Sequence, residues 1–501
     1  MNAWDVIPPM LIGVKVLLIV VTVIFFVSGI DDTFIDLAFL VRGIYRRLYV
    51  LPHHPPLTRA QLDTKPEQPI AIMIPAWHEA DVIRHMLEAL VGRVDYKDYH
   101  VFVGTYPNDP ETTAEVDSVA ARHCRVHRVT GPKPGPTCKA DCLNAVYQAI
   151  TMFEASTGQQ FAIVVMQDAE DVTHPCSLKL FNYLIPRKDM VQLPVWPLPT
   201  RWYDLTSGHY IDEFAESHFK NMVVRESLSQ AIPSAGVGTA FSRRALSALA
   251  TNGPEVFDVR SLTEDYEIGV RLHRWGMKQA FVRQVFSAAP HGRGARFHRL
   301  TGEYSKDSPD AIVVREYFPS RFRAAVKQKS RWVLGITLQG WRNLGWEGDL
   351  STKYMLFRDR KSLVTSIVNV LGYVTLAAVV GVWGLGRLVE DGYRYPPLVE
   401  SGSWLSRTII ADTAFLVVRL FERAYCVGRI YGWLQACLSV PRQIWGNVIN
   451  CAAASRALYL FVQSALTGKA LSWGKTDHVF PGEAVLSYVI KPESTTAPTG
   501  G

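Results

Sequence analysis

The chain has 501 residues, of which 48% are hydrophobic, and a formal net charge of +7. This length allows one large domain or a domain with a membrane part, and the slightly positive mean hydropathy favours the second. Seven cysteines without regular spacing argue against a disulfide framework. The sequence has no basic stripe or known nucleic-acid motif, so its charge does not predict a nucleic-acid partner.

The first predicted element is a membrane-spanning helix over residues 10–30. This stretch is apolar except for Lys15 and is long enough to cross a hydrocarbon core of about 30 Å. A cleaved signal peptide is the alternative, but the stretch is too long and no basic leader precedes it. A juxtamembrane helix is expected at 34–50 and a linker at 51–68. Basic residues follow the span, so the positive-inside rule places the N-terminus outside and the central region in the cytosol: Arg42, Arg46 and Arg47.

Residues 69–350 alternate between strand and helix patterns, which indicates a cytosolic α/β domain. Repeated strand-helix units imply a doubly wound, mostly parallel sheet. The predicted strands are 69–74, 100–105, 125–130 and 161–166, and the predicted helices are 80–94, 112–122 and 139–155.

A tetrad of mostly acidic residues, Asp168-Ala169-Glu170-Asp171, directly follows the fourth predicted strand. In α/β sheets, nucleotides and their metals bind at the carboxyl ends of strands. We expect Asp168 and either Glu170 or Asp171 to bind Mg²⁺ or Mn²⁺ together with substrate phosphates, because adjacent carboxylates without a cation would repel. The alternative is an acidic helix N-terminus.

Acidic residues also follow the first two strands, as Glu79 and Asp109. Carboxylates at these neighbouring strand ends are expected to accept hydrogen bonds from a uracil ring and a ribose, although a helix N-cap explains each equally well. Residues 131–139 superficially resemble a phosphate-binding P-loop, but the lysine spacing is wrong, which excludes an ATPase. Lys139 opens a helix and is expected to face a diphosphate.

A second acidic group, Thr263-Glu264-Asp265, precedes a predicted helix. Asp265 is the candidate general base that removes a proton from an acceptor hydroxyl, with Glu264 beside it. A capping box is the alternative. Upstream, Gly238 and Thr239 would let a sugar approach the backbone closely, unless they form a strand-end bulge.

The sequence Gln328-Lys-Ser-Arg331-Trp332 lies in a predicted helical stretch over 320–343. Positions i, i+3 and i+4 share one helix face, so Gln328, Arg331 and Trp332 can converge on one ligand. Arginine pairs with diphosphate oxygens and tryptophan offers a flat surface to a sugar ring. The alternative is a core tryptophan beside a surface arginine.

The C-terminal region over 351–465 is predicted to hold two further spans and an interfacial helix. Residues 362–385 form a clear apolar block, and 434–460 have the pattern of an interfacial amphipathic helix. The tail over 466–501 is expected to be cytosolic. The block at 405–427 is weaker because charged residues interrupt it: Asp412, Arg419 and Glu422.

In this order, the acidic motifs and the QxxRW sequence resemble those of membrane-bound family-two glycosyltransferases of the GT-A fold, over about residues 69–346. More narrowly, the motifs at 75–79, 106–109 and 168–171, with those at 234–244, 315–319 and 473–477, resemble the phage-adsorption-protein-B type. That type is a bacterial inner-membrane glycosyltransferase implicated in surface polysaccharide export.

The resemblance implies an inverting, metal-dependent transfer from a UDP-sugar to a growing glycan or lipid-linked acceptor beside the lipid bilayer. UDP-N-acetylhexosamine is the donor expected by analogy. Carried over to this sequence, the resemblance implies that Glu79 and Asp109 hold the uridine and that Lys139 faces the diphosphate. Asp168 with Glu170 would hold the ribose and metal, and Asp265 would be the base. The residues at the acceptor and diphosphate end would be Gln328, Arg331 and Trp332.

Some features depart from the family pattern or leave alternatives open. His78 stands where many members have asparagine. Members of the narrower type often carry a C-terminal cyclic-dinucleotide-binding domain, and because this chain ends at Gly501 we expect such control to come from a separate sensor. An outer-membrane or periplasmic export partner is also expected. The alternatives are addition of a single sugar to a lipid carrier, and an inert membrane scaffold or phage-receptor component.

Overall fold

The computed structural model describes residues 3–250, 255–287, 310–388, 397–468, 478–483 and 485–486. Its strands are β1 (Ile70–Pro75), β2 (Tyr99–Thr105), β3 (Val126–Thr130), β4 (Ile163–Met166), β5 (Val172–Thr173), β6 (Met190–Gln192), β7 (Thr239–Ser242), β8 (Gln279–Phe281), β9 (Gln284–Ser287), β10 (Asp310–Ile312) and β11 (Val314–Arg315).

The helices are α1 (Ala3–Tyr45), α2 (Leu51–His53), α3 (Arg59–Leu62), α4 (Ile83–Arg93), α5 (Pro110–Ala120), α6 (Lys139–Thr157), α7 (Ser177–Leu184), α8 (Leu205–Glu216), α9 (Met222–Leu228), α10 (Arg243–Leu249), α11 (Glu264–Arg274), α12 (Phe322–Val333), α13 (Gly340–Leu344), α14 (Leu350–Leu388), α15 (Trp404–Tyr431) and α16 (Trp433–Thr467). Single π-helical turns follow α1, α8 and α12, at Arg46–Val50, Ser217–Asn221 and Leu334–Gln339.

The centre of the molecule is a seven-stranded sheet in the order β3-β2-β1-β4-β7-β6-β8. The strands β1 to β4 are parallel to one another, and β6 is parallel to β8. The strand β7 is antiparallel to both of its neighbours. The predicted α/β class with a mostly parallel sheet is therefore confirmed, and the predicted strands and helices of residues 69–166 occur in the expected order.

The sheet is buried on both faces. In β1, Ile70, Ile72 and Ile74 pack into one core cluster, whereas Ala71 and Met73 pack into the other. Every residue of this strand is buried, which explains why its sequence is a continuous apolar run rather than an alternating one.

Among the described residues, two helices are long and apolar enough to cross a membrane, at Pro9–His53 and Leu350–Gly384. The first joins the predicted span at 10–30 to the predicted juxtamembrane helix at 34–50, so these two elements form one helical run. The predicted third span lies in α15, whose charged residues lower its hydropathy. The predicted helix at 434–460 lies in α16.

The helix α16 has an inner face that includes polar residues and an outer face with several large apolar residues. Its buried positions include polar residues that contact the rest of the chain, namely Gln435, Ser439, Arg442 and Asn447. Its exposed positions include large apolar residues, namely Trp433, Ile444, Tyr459 and Leu466. This distribution is the one that an interfacial helix needs when its outer face contacts lipid.

Candidate functional site

A cavity of about 410 Å³ lies at the end of β1 and β4, where Pro75 and Asp168 contribute to its wall. This volume is within the range of small-molecule sites. The structure brings many of the predicted site residues together here, namely Glu79, Lys139, Asp168, Glu170, Glu264, Asp265, Gln328, Arg331 and Trp332.

The acidic tetrad after β4 divides between the cavity and the interior. Asp168 lies on the cavity and its Oδ1 is 2.5 Å from Lys139 Nζ. Glu170 also lines the cavity. Burial raises the pKa of Glu170 to about 7, and the charge of His478 opposes this shift. Asp171 points inward, where its Oδ2 accepts a hydrogen bond from the Asp168 N–H at 2.9 Å. Glu170 is therefore the carboxylate that shares the cavity with Asp168.

The chemistry of this acidic group fits a hard divalent cation. Among the described residues, no three histidine, cysteine or acidic side chains are arranged to hold a metal by themselves. Mg²⁺, however, is commonly bound through one or two carboxylates with substrate phosphates and water as the other ligands. Asp168 and Glu170 can supply such a pair. The neighbouring Asp171 Oδ1 is buried and lacks a hydrogen-bond partner in the described part of the chain.

Asp265 is held between a backbone N–H and a glycine. Its Oδ1 accepts a hydrogen bond from the Tyr266 N–H at 2.7 Å. Its Oδ2 lies against Gly236, where a Cβ atom would collide with that oxygen, and the φ of 78° at Gly236 also disfavours any other residue. Burial raises the pKa of Asp265, whereas Lys139 lowers it. This carboxylate is therefore fixed in direction and faces the cavity.

Glu264 and Lys139 complete the charged part of the cavity. Burial, with the adjacent Asp265, raises the pKa of the Glu264 carboxyl to about 8. Burial alone would lower the pKa of Lys139, but Asp168, Glu264 and Asp265 together raise it above its ordinary value. At neutral pH the lysine is therefore charged, and its Nζ also donates to Gly236 O at 3.4 Å.

The predicted residues Gly238 and Thr239 are not among those that line the cavity, although the adjacent Val237 is. Thr239 is fully buried in β7, where its hydroxyl donates to Gln192 Oε1 at 2.7 Å. A Cβ atom at Gly238 would meet the side chain of Val314 rather than the cavity. Thr239 begins β7 and pairs with Met166 at the end of β4, so both predicted residues lie behind the cavity wall. Gly236 is the glycine that lies against Asp265.

Asp109 is also away from the cavity wall. It caps α5, with its Oδ1 accepting from the Thr112 N–H at 3.3 Å. Its Oδ2 accepts from the His78 N–H at 2.6 Å, and His78 has a φ of 54°, in the left-handed region. The N-cap alternative thus describes its contacts, and Asp109 shapes the loop that carries Glu79.

The helix α12 presents two faces. Gln328, Arg331 and Trp332 line the cavity, as their spacing predicted. The two residues between them point to the opposite side: Lys329 Nζ donates to Asn450 Oδ1 at 2.6 Å, and Ser330 Oγ accepts from Arg456 at 2.5 Å. The cavity face of α12 is therefore fixed by contacts of its other face with α16.

The sequence interpretation missed several residues of the cavity, His478 and Glu316 among them. His478 lies between two carboxylates, with Nδ1 at 3.0 Å from Glu79 Oε1 and Nε2 at 3.1 Å from Glu170 Oε1. Burial would lower the pKa of His478, but Glu170 and Glu79 raise it to about 9. Glu316 also lines the cavity, and burial and Asp171 raise its pKa. Glu316 lies within the motif at 315–319 and His478 directly follows the motif at 473–477, so the family resemblance was the available signal.

Comparisons with known proteins support the resemblance seen in the sequence. The sequence model described as "Glycosyltransferase like family 2" matches residues 66–335. Bacteriophage adsorption protein B of Escherichia coli (strain K12) is 44% identical over 489 residues, which are 97% of this chain and 65% of that protein. Bacteriophage N4 adsorption protein B of Escherichia coli O157:H7 matches to the same extent. The chain thus spans 65% of the length of these curated relatives.

Solved structures match at lower similarity. The mannosyltransferase PcManGT from Pyrobaculum calidifontis, solved with GDP-Man and Mn²⁺, is 15% identical over 89% of this chain and 99% of that chain, with a TM-score of 0.49. Glucosyl-3-phosphoglycerate synthase from Mycobacterium tuberculosis, solved with Mn²⁺, UDP-glucose and phosphoglyceric acid, is 16% identical over 46% and 75% of the two chains, with a TM-score of 0.28. Because the family match at 66–335 covers more than half of the sequence, the chain belongs to glycosyltransferase family 2.

Proposed function

We propose that this protein is an inverting glycosyltransferase that transfers a sugar from a UDP-sugar to a glycan acceptor at the inner face of a bacterial cytoplasmic membrane. The observation that carries the proposal is the single cavity in which Asp168 and Glu170 meet Asp265 around Lys139. The charged diphosphate of a donor needs positive charge, from Lys139 and from a cation held by Asp168 and Glu170. The weakly acidic hydroxyl of an acceptor needs a base such as Asp265 beside it.

In this reaction the acceptor hydroxyl attacks the anomeric carbon of the donor. The new C–O bond forms as the bond from that carbon to the diphosphate breaks, so UDP leaves and the configuration inverts. Asp265 takes the proton of the hydroxyl. Lys139 and Arg331 stabilise the charge that develops on the diphosphate, and Trp332 offers its ring face to a sugar.

Glu79 is proposed to contact the uridine, and Asp168 with Glu170 to hold Mg²⁺ or Mn²⁺. When bound, the cation would supply positive charge to the diphosphate and so lower the barrier to its departure. UDP-N-acetylhexosamine remains the donor proposed by analogy. The apolar outer face of α16 and the two apolar helices support a membrane location.

The test is transfer by the full chain, purified in detergent, from a panel of UDP-sugars with Mg²⁺ or Mn²⁺. Asp265→Asn should reduce transfer by about 10²–10⁴-fold, the usual contribution of a general base. UDP should still bind with near wild-type affinity, because the amide keeps the shape of the side chain. A fully active variant would remove Asp265 from the mechanism, and wild-type protein without any transfer or hydrolysis would favour the inert scaffold.

The number of sugars added is a separate question, which product sizing answers. Long polymers made by the purified protein would exclude addition of one sugar to a lipid carrier. Products that grow by one residue would instead favour that alternative.

A further inference from the structure

Tyr266 connects the proposed base to a membrane helix. Its backbone N–H donates to Asp265 Oδ1 at 2.7 Å, and its hydroxyl donates to Asp359 Oδ2 at 2.5 Å. Asp359 belongs to α14, one of the two helices apolar enough to span a membrane in the described part of the chain. One residue of α11 therefore holds the base with its main chain and α14 with its side chain.

The acceptor of the tyrosine hydroxyl is itself firmly held. Arg225 Nη1 donates to both carboxylate oxygens of Asp359 at 2.9 Å, and Arg225 Nε donates to Ala231 O at 2.8 Å. Burial raises the pKa of Tyr266, so its hydroxyl keeps the proton that it donates. Hydrogen bonds from a hydroxyl to an ionised carboxylate are short and strong. The Tyr266 ring also packs in a cluster with Leu356 of α14, the helix that carries Asp359.

The same turn of α14 is fixed on its other side to α1. Arg358 Nη2 lies 3.2 Å from Asp32 Oδ1, and Lys361 Nζ lies 3.1 Å from the same atom. The turn that carries Asp359 thus contacts α1 on one side and α11, whose first turn contains Asp265, on the other. A shift of α14 would be transmitted to Asp265 through Tyr266.

We propose that Asp359 is a positioning residue, which acts through Tyr266 to keep the carboxylate of Asp265 directed at the acceptor hydroxyl. This inference rests on the proposed function. Asp359 fixes the tyrosine ring, the ring fixes the residue's backbone, and the backbone N–H fixes Asp265 Oδ1. A membrane helix would therefore set the geometry of the catalytic step.

The sharpest variant is Tyr266→Phe, which removes the hydroxyl and leaves the ion pair between Arg225 and Asp359 intact. We expect kcat to fall about tenfold or more, because a small misplacement of a reacting group has large kinetic effects. The KM values for donor and acceptor and the Kd for UDP should stay within about twofold, since these contacts do not change. Asp359→Asn should produce the same division between kcat and KM.

The matched control is Tyr354→Phe. The Tyr354 hydroxyl also donates from α14 to an aspartate at 2.5 Å, but its partner is Asp31 of α1. This variant should keep the wild-type kcat. Unfolding temperatures of all variants in the same detergent would identify any that are destabilised.

Three results would overturn the inference. The first is a wild-type kcat in Tyr266→Phe, and the second is an equal loss in Tyr354→Phe, which would indicate general loosening of α14. The third is a raised acceptor KM at unchanged kcat, because Tyr266 and Asp359 also line the cavity and would then be substrate contacts. These results differ from failure of the proposed function, in which wild-type protein transfers no sugar to any acceptor.

Discussion

At the scale of single residues, Lys139 determines how the carboxylates of the cavity can coexist. It contacts Asp168 directly and lies close enough to Glu264 and Asp265 for all three to raise its pKa. In return, its charge lowers the pKa of Asp265, which burial alone would raise. A base must be ionised to accept a proton. Lys139 therefore serves both the proposed diphosphate contact and the proposed base.

Replacing Lys139 with methionine should weaken UDP binding by about ten- to a hundredfold, the worth of one charge-assisted hydrogen bond. Transfer should fall further, because Asp265 would become easier to protonate. Titration of UDP against purified protein measures the first effect. Lys133→Met is the control, since Lys133 is exposed and pairs with Asp141 outside the cavity. Equal UDP affinity in the Lys139 variant would contradict the assignment.

His218 gives the fold a dependence on pH. Its Nδ1 accepts from the Val195 N–H at 2.9 Å, and burial lowers its pKa to about 4. The unfolded chain binds a proton near pH 6.5, whereas the folded chain does so only near 4, so stability present above pH 6.5 is lost as pH falls through this window. The loss should be about 3 kcal/mol. Denaturant unfolding at pH 7 and pH 4 measures this loss of free energy of unfolding. An equal loss in wild-type protein and in His218→Gln would refute the prediction.

At the scale of elements, α12 combines recognition and attachment within one turn and a half. Residues at i, i+3 and i+4 of the QxxRW sequence face the cavity, and those between them face α8 and α16. Lys329 lies at the centre of the second face, where its Nζ contacts Glu213 and donates to His209 Nε2 at 2.7 Å. This ion pair, in which the lysine is buried, helps to fix the direction in which Arg331 points.

Lys329→Met should destabilise the protein by about 3 kcal/mol, because it leaves the half-buried Glu213 carboxylate without its cation. Adding Glu213→Gln should restore part of the loss, since the uncompensated charge is then removed. Thermal unfolding of the single and double variants in detergent tests both statements. Arg323→Met, on an exposed position of the same helix, should have little effect. A double variant less stable than Lys329→Met would count against the ion pair.

The sequence predicted the elements whose pattern is local. The alternation of apolar strands and amphipathic helices identified β1 to β4, and the helical spacing of QxxRW identified the cavity face of α12. It did not predict that β7 enters the sheet antiparallel, because strand direction depends on the path of the connecting chain. Nor did it predict that the hydroxyl of Thr239, the first residue of β7, is buried against Gln192.

His478 could not be predicted for a different reason. It is separated by 399 positions from Glu79, with which it shares a contact. No periodicity or local motif links residues so far apart. The same applies to Tyr266 and Asp359, whose hydrogen bond joins a helix of the sheet domain to the long apolar helix α14. Contacts of this kind become visible only when tertiary structure is known.

At the scale of the whole molecule, ion pairs mark one level across three long helices. Asp31 and Asp32 of α1 face Arg358 and Lys361 of α14, and Arg419 Nη1 of α15 lies 2.8 Å from Asp32 Oδ2. Charged side chains within a membrane helix are costly, so such pairs are expected near the end of the hydrocarbon region. We therefore propose that α1, α14 and α15 each cross the bilayer and reach its inner face at this level.

This arrangement makes the short connection between α14 and α15 external and the sheet domain internal, and cysteine labelling tests it. Cys124 is exposed on the sheet domain, and Ser401 is exposed just before α15. In intact spheroplasts, a membrane-impermeant maleimide should label Ser401→Cys and leave wild-type protein unlabelled, because the bilayer shields Cys124. Permeabilisation should then expose Cys124 in both. Labelling of wild-type protein before permeabilisation would contradict the proposed orientation of the sheet domain. The proposal would then fail in both of its grounds, the positive-inside rule and the level of the ion pairs.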